Sequence, residues 1–119
     1  MKTWKDLVAE AKKEIGLLQV SEVKAKMVQQ EDFLLIDVRE QEEYKQGRLP
    51  EAACIPRGTL EMTIADQVKD TSKLIILHCG GGGRSALAAQ SLKKMGYENV
   101  ASMEGGFKAW MLAGYPTET

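Results

Sequence analysis

The chain has 119 residues, 44% hydrophobic and 28% charged, which leaves room for one globular domain with one core and excludes a disordered chain. Sixteen Lys and Arg stand against seventeen Asp and Glu, a net charge of -1 with no basic run, so neither a nucleic acid nor a membrane surface is expected as partner. No apolar run approaches the ~20 residues of a membrane span, the N-terminus lacks an apolar signal core, and two cysteines are too few for a disulfide scaffold, so a reducing cytoplasm is expected.

Trp4, Leu7, Val8, Ala11 and Ile15 recur at helical spacing and predict an amphipathic helix over residues 3–14, stopped before Gly16. Leu17 to Val20 reads as a short strand, and Ser21 as the N-cap of a helix that turns Val23, Met27 and Val28 inward. Phe33 to Val38 is continuously apolar apart from Asp37, as in a strand covered by helices on both faces. Glu40 to Gln46 is short and polar, with Glu40, Glu42 and Glu43 expected on a solvated helix face. Ala53 to Ile55 is a brief strand between Pro50 and Pro56, in which Cys54 reads as a small buried hydrophobe.

Residues 57–72 predict loop with a short helix around Ile64 to Val68. Leu74 to His78 is the second wholly apolar strand, followed by Cys79, four glycines, and a helix from Arg84 to Met95 ended by Gly96. That helix is expected to turn Leu87, Ala88, Ser91, Leu92 and Met95 inward. Val100 to Met103 predicts a last strand and Phe107 to Ala113 a last helix, with Phe107 and Trp110 in the core. Strands and helices alternate from end to end. The expected fold is therefore α/β, a mostly parallel central sheet with helices on both faces, forming one domain over residues 1–119.

The chemistry concentrates in Cys79-Gly80-Gly81-Gly82-Gly83-Arg84-Ser85. A cysteine at the carboxyl end of a buried strand stands where open α/β sheets bind ligands. Glycines can bend the chain so that successive N–H groups aim at one point, and a helix N-terminus adds its unpaired N–H groups. Arg84 adds a positive charge. Such surroundings bring a thiol from ~8.5 into the ~3.5–7.5 range, so a thiolate at neutral pH is expected. Ser85 has two uses open to it, capping the helix or donating its hydroxyl to the sulfur, and capping is the commoner one.

The chain resembles the rhodanese homology domain over nearly its whole length. The resemblance runs through Leu35-Ile36-Asp37-Val38-Arg39 with Glu40 and Tyr44, Gly47-Arg48-Leu49-Pro50-Glu51-Ala52, Ile55-Pro56-Arg57-Gly58, the Cys79 loop, and Gly105-Gly106-Phe107-Lys108-Ala109-Trp110. It implies a sulfurtransferase in which Cys79 takes a sulfane sulfur from a small-molecule donor, such as thiosulfate or a low-molecular-weight persulfide. The sulfur is then passed to cyanide, a thiol or a protein cysteine, without a metal or other cofactor. It also implies that Asp37 and Arg39 are scaffold residues behind the site. Two departures stand out: Arg48-Leu49-Pro50-Glu51-Ala52 replaces a common His-Ile-Pro-Gly-Ala, and the loop lacks the second cation of many thiosulfate-using members.

Six residues from Cys79 to Arg84 match the sulfurtransferase loop, whereas related phosphatases and arsenate reductases use one residue more. A non-catalytic interaction module would commonly lack the cysteine. A persulfide carrier serving one protein partner fits these residues as well as an enzyme does. His78, the one histidine, adjoins Cys79 on a strand and so points to the opposite face, excluding a Cys–His dyad.

Overall fold

The computed structural model describes residues Met1–Thr119. The chain runs α1 (Trp4–Lys12), β1 (Gly16–Leu18), α2 (Val20–Val28), β2 (Leu34–Asp37), α3 (Gln41–Gln46) and β3 (Ala53–Cys54). A 3-10 turn over Arg57–Thr59 leads into α4 (Leu60–Gln67), β4 (Ile75–His78), α5 (Gly83–Lys94), β5 (Val100–Met103) and α6 (Gly106–Leu112). The five strands form one sheet in the order β1-β5-β4-β2-β3, and every neighbouring pair is parallel. The sheet is thus wholly parallel.

Alternation along β2 and β4 divides the core between the two faces. Ile36, Ile75 and Leu77 pack with Leu60 and Ile64 of α4 and with Ala88, Ala89 and Leu92 of α5. On the other face Leu35 and Ile76 pack with Val23 of α2 and Trp110 of α6. Ile36, Ile75, Ile76 and Leu77 are wholly buried, each contributing about 1.5–3 kcal/mol over an exposed side chain. This explains why the central strands read as unbroken apolar runs. Helix α1 lies outside the two layers, with Ala11 against Ala86 and Leu87 of α5.

Several boundaries differ from the sequence expectation, each for a local reason. Helix α1 is capped by Thr3 and Asp6 in a reciprocal box, and its last turn tightens through Lys13 N–H to the Glu10 carbonyl, so it ends before residue 14. Ser21 is not the cap of α2: the Glu22 carboxylate accepts from the Gln19 N–H at 2.8 Å and starts the helix two residues earlier. Helix α4 begins at Leu60 rather than near Ile64, because both side chains lie on one face and are wholly buried. Helix α5 turns Met95 outward and Ser91 only half inward. Tyr97 takes the core position, its hydroxyl donating to the Val68 carbonyl at 2.6 Å. Cys54, on the edge strand β3, is only partly buried.

Candidate active site

Strand β4 lies between β2 and β5 and delivers Cys79, the residue after its end, to the carboxyl edge of the sheet, four residues before α5 begins. Cys79 is buried, and its sulfur accepts the Gly82 N–H at 3.1 Å and the Ser85 N–H at 3.4 Å. Gly82 occupies the left-handed region (φ 104°) as the residue preceding α5, a conformation in which a side chain would be strained. The other edge of the loop is held from α6. The Phe107 N–H donates to the Cys79 carbonyl at 2.8 Å, and the Lys108 N–H to the Gly80 carbonyl at 3.1 Å. This approach requires Gly106, because a Cβ there would stand 2.5 Å from the Cys79 carbonyl oxygen, on a backbone with φ 58°.

Burial pushes the Cys79 thiol up, but hydrogen bonds from the Ser85 hydroxyl and amide and from the Gly82 and Gly81 amides outweigh it, and the thiol sits below its ordinary value. Ser85 does not cap α5. Its hydroxyl lies 3.5 Å from the sulfur, 3.3 Å from the Gly82 carbonyl and 2.7 Å from the Ser102 hydroxyl of β5. When the sulfur is a thiol, its S–H can donate to Ser85. When it is a thiolate, the Ser85 hydroxyl turns to it, and the Ser102 hydroxyl can donate to Ser85 in turn. Ser102, wholly buried, was not singled out from sequence, since nothing marks a serine in an apolar strand as facing another element.

Arg84 does not point a free charge at the sulfur. Its guanidinium donates to both carboxylate oxygens of Glu43, at 2.8 and 3.1 Å. Glu43 is therefore more than part of a solvated helix face. The Arg84 hydrogen bonds hold its carboxyl down at about 2, against a smaller opposing effect of burial, with the Glu40 N–H also donating to it. Arg84 is itself pushed upward, chiefly by Glu43.

Asp37 and Arg39 form a buried pair behind the loop. Asp37 accepts from the Arg39 backbone N–H at 3.0 Å and from its guanidinium at 2.8–3.1 Å. Arg39 also donates to the Gly47 carbonyl at 2.7 Å and covers the Phe107 ring at 4.3 Å. Neither residue bonds to the Cys79 sulfur. His78 is wholly buried, with Nε2 3.6 Å from an Asp37 carboxylate oxygen and Nδ1 3.4 Å from the Cys79 carbonyl oxygen. Burial holds its pKa down against the pull of Asp37, which favours a neutral ring. Cys54 makes only a long contact, 3.8 Å, to the Arg39 carbonyl, and burial together with Asp37 pushes its thiol upward. No three His, Cys, Asp or Glu side chains gather in a group able to hold a metal ion, and no helix is long and apolar enough to cross a membrane.

The family model described as "Rhodanese-like domain" matches residues 19–113. An Allochromatium vinosum protein described as a sulfurtransferase is 34% identical over 86 residues, 72% of this chain and 78% of its own length. Two further curated relatives are longer, the match spanning 49% of one and 46% of the other. Among solved structures, a Rhodopseudomonas palustris protein of unknown function, described as a possible tyrosine phosphatase, is 33% identical with a TM-score of 0.90 over 99% of this chain and 96% of its own. The polysulfide-sulfur transferase homodimer of Wolinella succinogenes is 29% identical with a TM-score of 0.82, over 97% and 86% of the two chains. A thiosulfate sulfurtransferase of Pseudomonas aeruginosa is 28% identical with a TM-score of 0.84, over 94% of this chain but 22% of the other.

Two outcomes follow from this geometry. Gly106→Ala should cost about 1–3 kcal/mol of stability, read from denaturant melts. Gly81→Ala, where a Cβ meets nothing within 4 Å, should change stability by less than about 0.5 kcal/mol. Equal losses at both positions would remove the close approach as the reason for Gly106. Ser85→Ala takes a donor from the thiolate, so the Cys79 pKa should rise and its alkylation by iodoacetamide at pH 7 should slow about three- to tenfold. The rate should recover as pH rises through the new pKa, followed by peptide mapping to separate Cys79 from Cys54. Slowing that persists unchanged at high pH would point to lost access instead.

Proposed function

The chain belongs to the rhodanese-like domain family, and we propose that it is a sulfurtransferase whose Cys79 carries sulfur as a persulfide between a small-molecule donor and a thiol, protein-cysteine or cyanide acceptor. The observation that carries this reading is the convergence of the Gly82 and Ser85 amides and the Ser85 hydroxyl on one buried sulfur. These donors favour negative charge on sulfur, and they would do the same for the terminal sulfur of a persulfide held in the loop.

In the first half-reaction the Cys79 thiolate attacks the outer sulfur of the donor. A bond forms between Cys79 Sγ and that sulfur, and the donor's own sulfur–sulfur bond breaks. The electron pair leaves with sulfite when the donor is thiosulfate, or with a thiolate when it is a low-molecular-weight persulfide. In the second half-reaction the acceptor thiolate or cyanide attacks the terminal sulfur, and the electron pair of the breaking bond returns to Cys79. Each half exchanges one sulfur–sulfur bond for another bond to sulfur, so no external oxidant or reductant is consumed. Gly80 to Gly83 and Arg84 shape the loop, while Asp37 and Arg39 act behind it through Phe107.

A persulfide carrier dedicated to one protein partner uses the same first half-reaction and differs only in the acceptor. Hydrolysis of phosphate esters is the reading raised by the Rhodopseudomonas palustris relative. Against it stand the six-residue span from Cys79 to Arg84 and the engagement of Arg84 by Glu43, whose carboxylate beside the fork opposes binding of a phosphate dianion.

Incubation with thiosulfate or glutathione persulfide should raise the intact mass by one sulfur atom, and thiosulfate:cyanide transfer should be measurable. Cys79→Ser should abolish both while keeping the fold by circular dichroism, and Cys54→Ser should leave both within about twofold. A serine variant at position 79 that still transfers sulfur would rule out the mechanism. Aryl phosphate hydrolysis, assayed at several pH values, should be absent; turnover that disappears with Cys79→Ser would instead establish a phosphatase.

A further inference from the structure

Resting on the sulfur-transfer reading, we propose that Glu43 is a positioning residue that selects the donor: it holds Arg84 in a two-pronged ion pair and leaves Cys79 a cradle of neutral amides, which favours a small persulfide, with at most one charge on its sulfur chain, over dianionic thiosulfate. Both prongs are well formed, with Nη1 2.8 Å from Oε1 and Nη2 3.1 Å from Oε2. The fork lies along the loop, since a Cβ on Gly80 would stand 3.2 Å from Arg84 Nη2. Glu43 is itself fixed, because its Oε1 also accepts the Glu40 N–H at 2.9 Å at the start of α3. Its carboxyl is held at about 2, so no working pH releases Arg84 by protonating it.

Two other cations are already paired. Arg39 is committed to Asp37, and Lys12 to Glu104 at 2.8 Å. Lys5 lines a cavity of about 370 Å³ that reaches Gly81 and Gly83 from α1, but it offers a hydrated point charge rather than a planar fork. The sulfonate end of thiosulfate needs charged donors both to bind and to depart as sulfite. It must either displace Glu43 or accept its carboxylate as a neighbour. An alkyl persulfide departs as a singly charged thiolate and presents no oxyanion to the fork. Its reactive sulfur is served by the amides alone.

Glu43→Gln isolates the charge, because Gln at this third helical position can still receive the Glu40 N–H. The KM for thiosulfate should fall about fivefold with kcat changed less than about twofold, while the KM for the persulfide of mercaptoethanol moves less than about twofold. Gly81→Lys, placed where a Cβ meets nothing within 4 Å and the backbone is outside the left-handed region, should act in the same direction. Calorimetric binding of thiosulfate to Cys79→Ser protein should tighten on adding Glu43→Gln, and the gain should vanish when Arg84→Gln is added as well.

Unchanged thiosulfate KM and binding in a folded Glu43→Gln protein would overturn the inference, while persulfide turnover by the parent would leave the sulfur-transfer reading intact. A gain that survives Arg84→Gln would also overturn it, since Glu43 would then act by simple repulsion. Failure of the parent to take sulfur from any donor would strike the functional reading itself. If Glu43→Gln does not fold, Gly81→Lys decides: equal changes for both donors would overturn the proposal.

Discussion

The site depends on how α6 grips the far edge of the Cys79 loop. A trans peptide points its carbonyl and its N–H in opposite directions. Once Lys108 N–H holds the Gly80 carbonyl, the Gly81 N–H of the same peptide faces away from α6. Phe107 N–H fixes the preceding peptide through the Cys79 carbonyl in the same way. The glycines allow the loop to bend and the bonds to α6 fix its first two peptides, while the Gly82 and Ser85 amides that reach the sulfur come from the turn into α5. Gly106 is part of that device, because only a residue without a side chain lets α6 come so close.

The thiol is subject to two opposed effects of similar kind. Burial in a core that includes Ile36, Leu77 and Ala88 disfavours a charged sulfur. Short-range donors, each worth roughly 1.5–3 kcal/mol toward a charged acceptor, are more numerous, and they prevail. An arginine at the sixth position of the loop suggests from sequence that a full charge does this work. In the folded chain that charge is paired with Glu43, and oriented amides with one hydroxyl do it instead. Neutral dipoles stabilise a thiolate without adding long-range attraction for other anions.

What was legible in the sequence follows from range. The parallel sheet could be read because β2 and β4 are covered on both faces and therefore apolar up to their last residues, Asp37 and His78. The Cys79 loop could be read because strand, cysteine, glycines and helix adjoin in the chain. Glu43 and Arg84 lie 41 positions apart, and Ser85 and Ser102 lie 17 apart on different elements. No spacing rule connects such pairs before the sheet order is known. The shifts of α2 and α4 have another cause: a Glu at the third helical position and a buried Leu60–Ile64 face set those starts, against the preference of Ser21 for a cap and of residues 57–60 for loop.

The buried Asp37–Arg39 pair is linked to the same device without touching the sulfur. Arg39 bridges three elements: it pairs with Asp37 at the end of β2, donates to the Gly47 carbonyl after α3, and lies over the Phe107 ring of α6. The ring belongs to the residue whose amide holds the Cys79 carbonyl. A buried ion pair offers little net stability over apolar packing, yet breaking one leaves an uncompensated charge, at a cost of about 3–5 kcal/mol. The pair therefore resists rearrangement more than it stabilises. Resistance to rearrangement is what a run of four glycines lacks on its own, and the stacking of Arg39 on Phe107 passes it to the peptide at which the Cys79 loop begins.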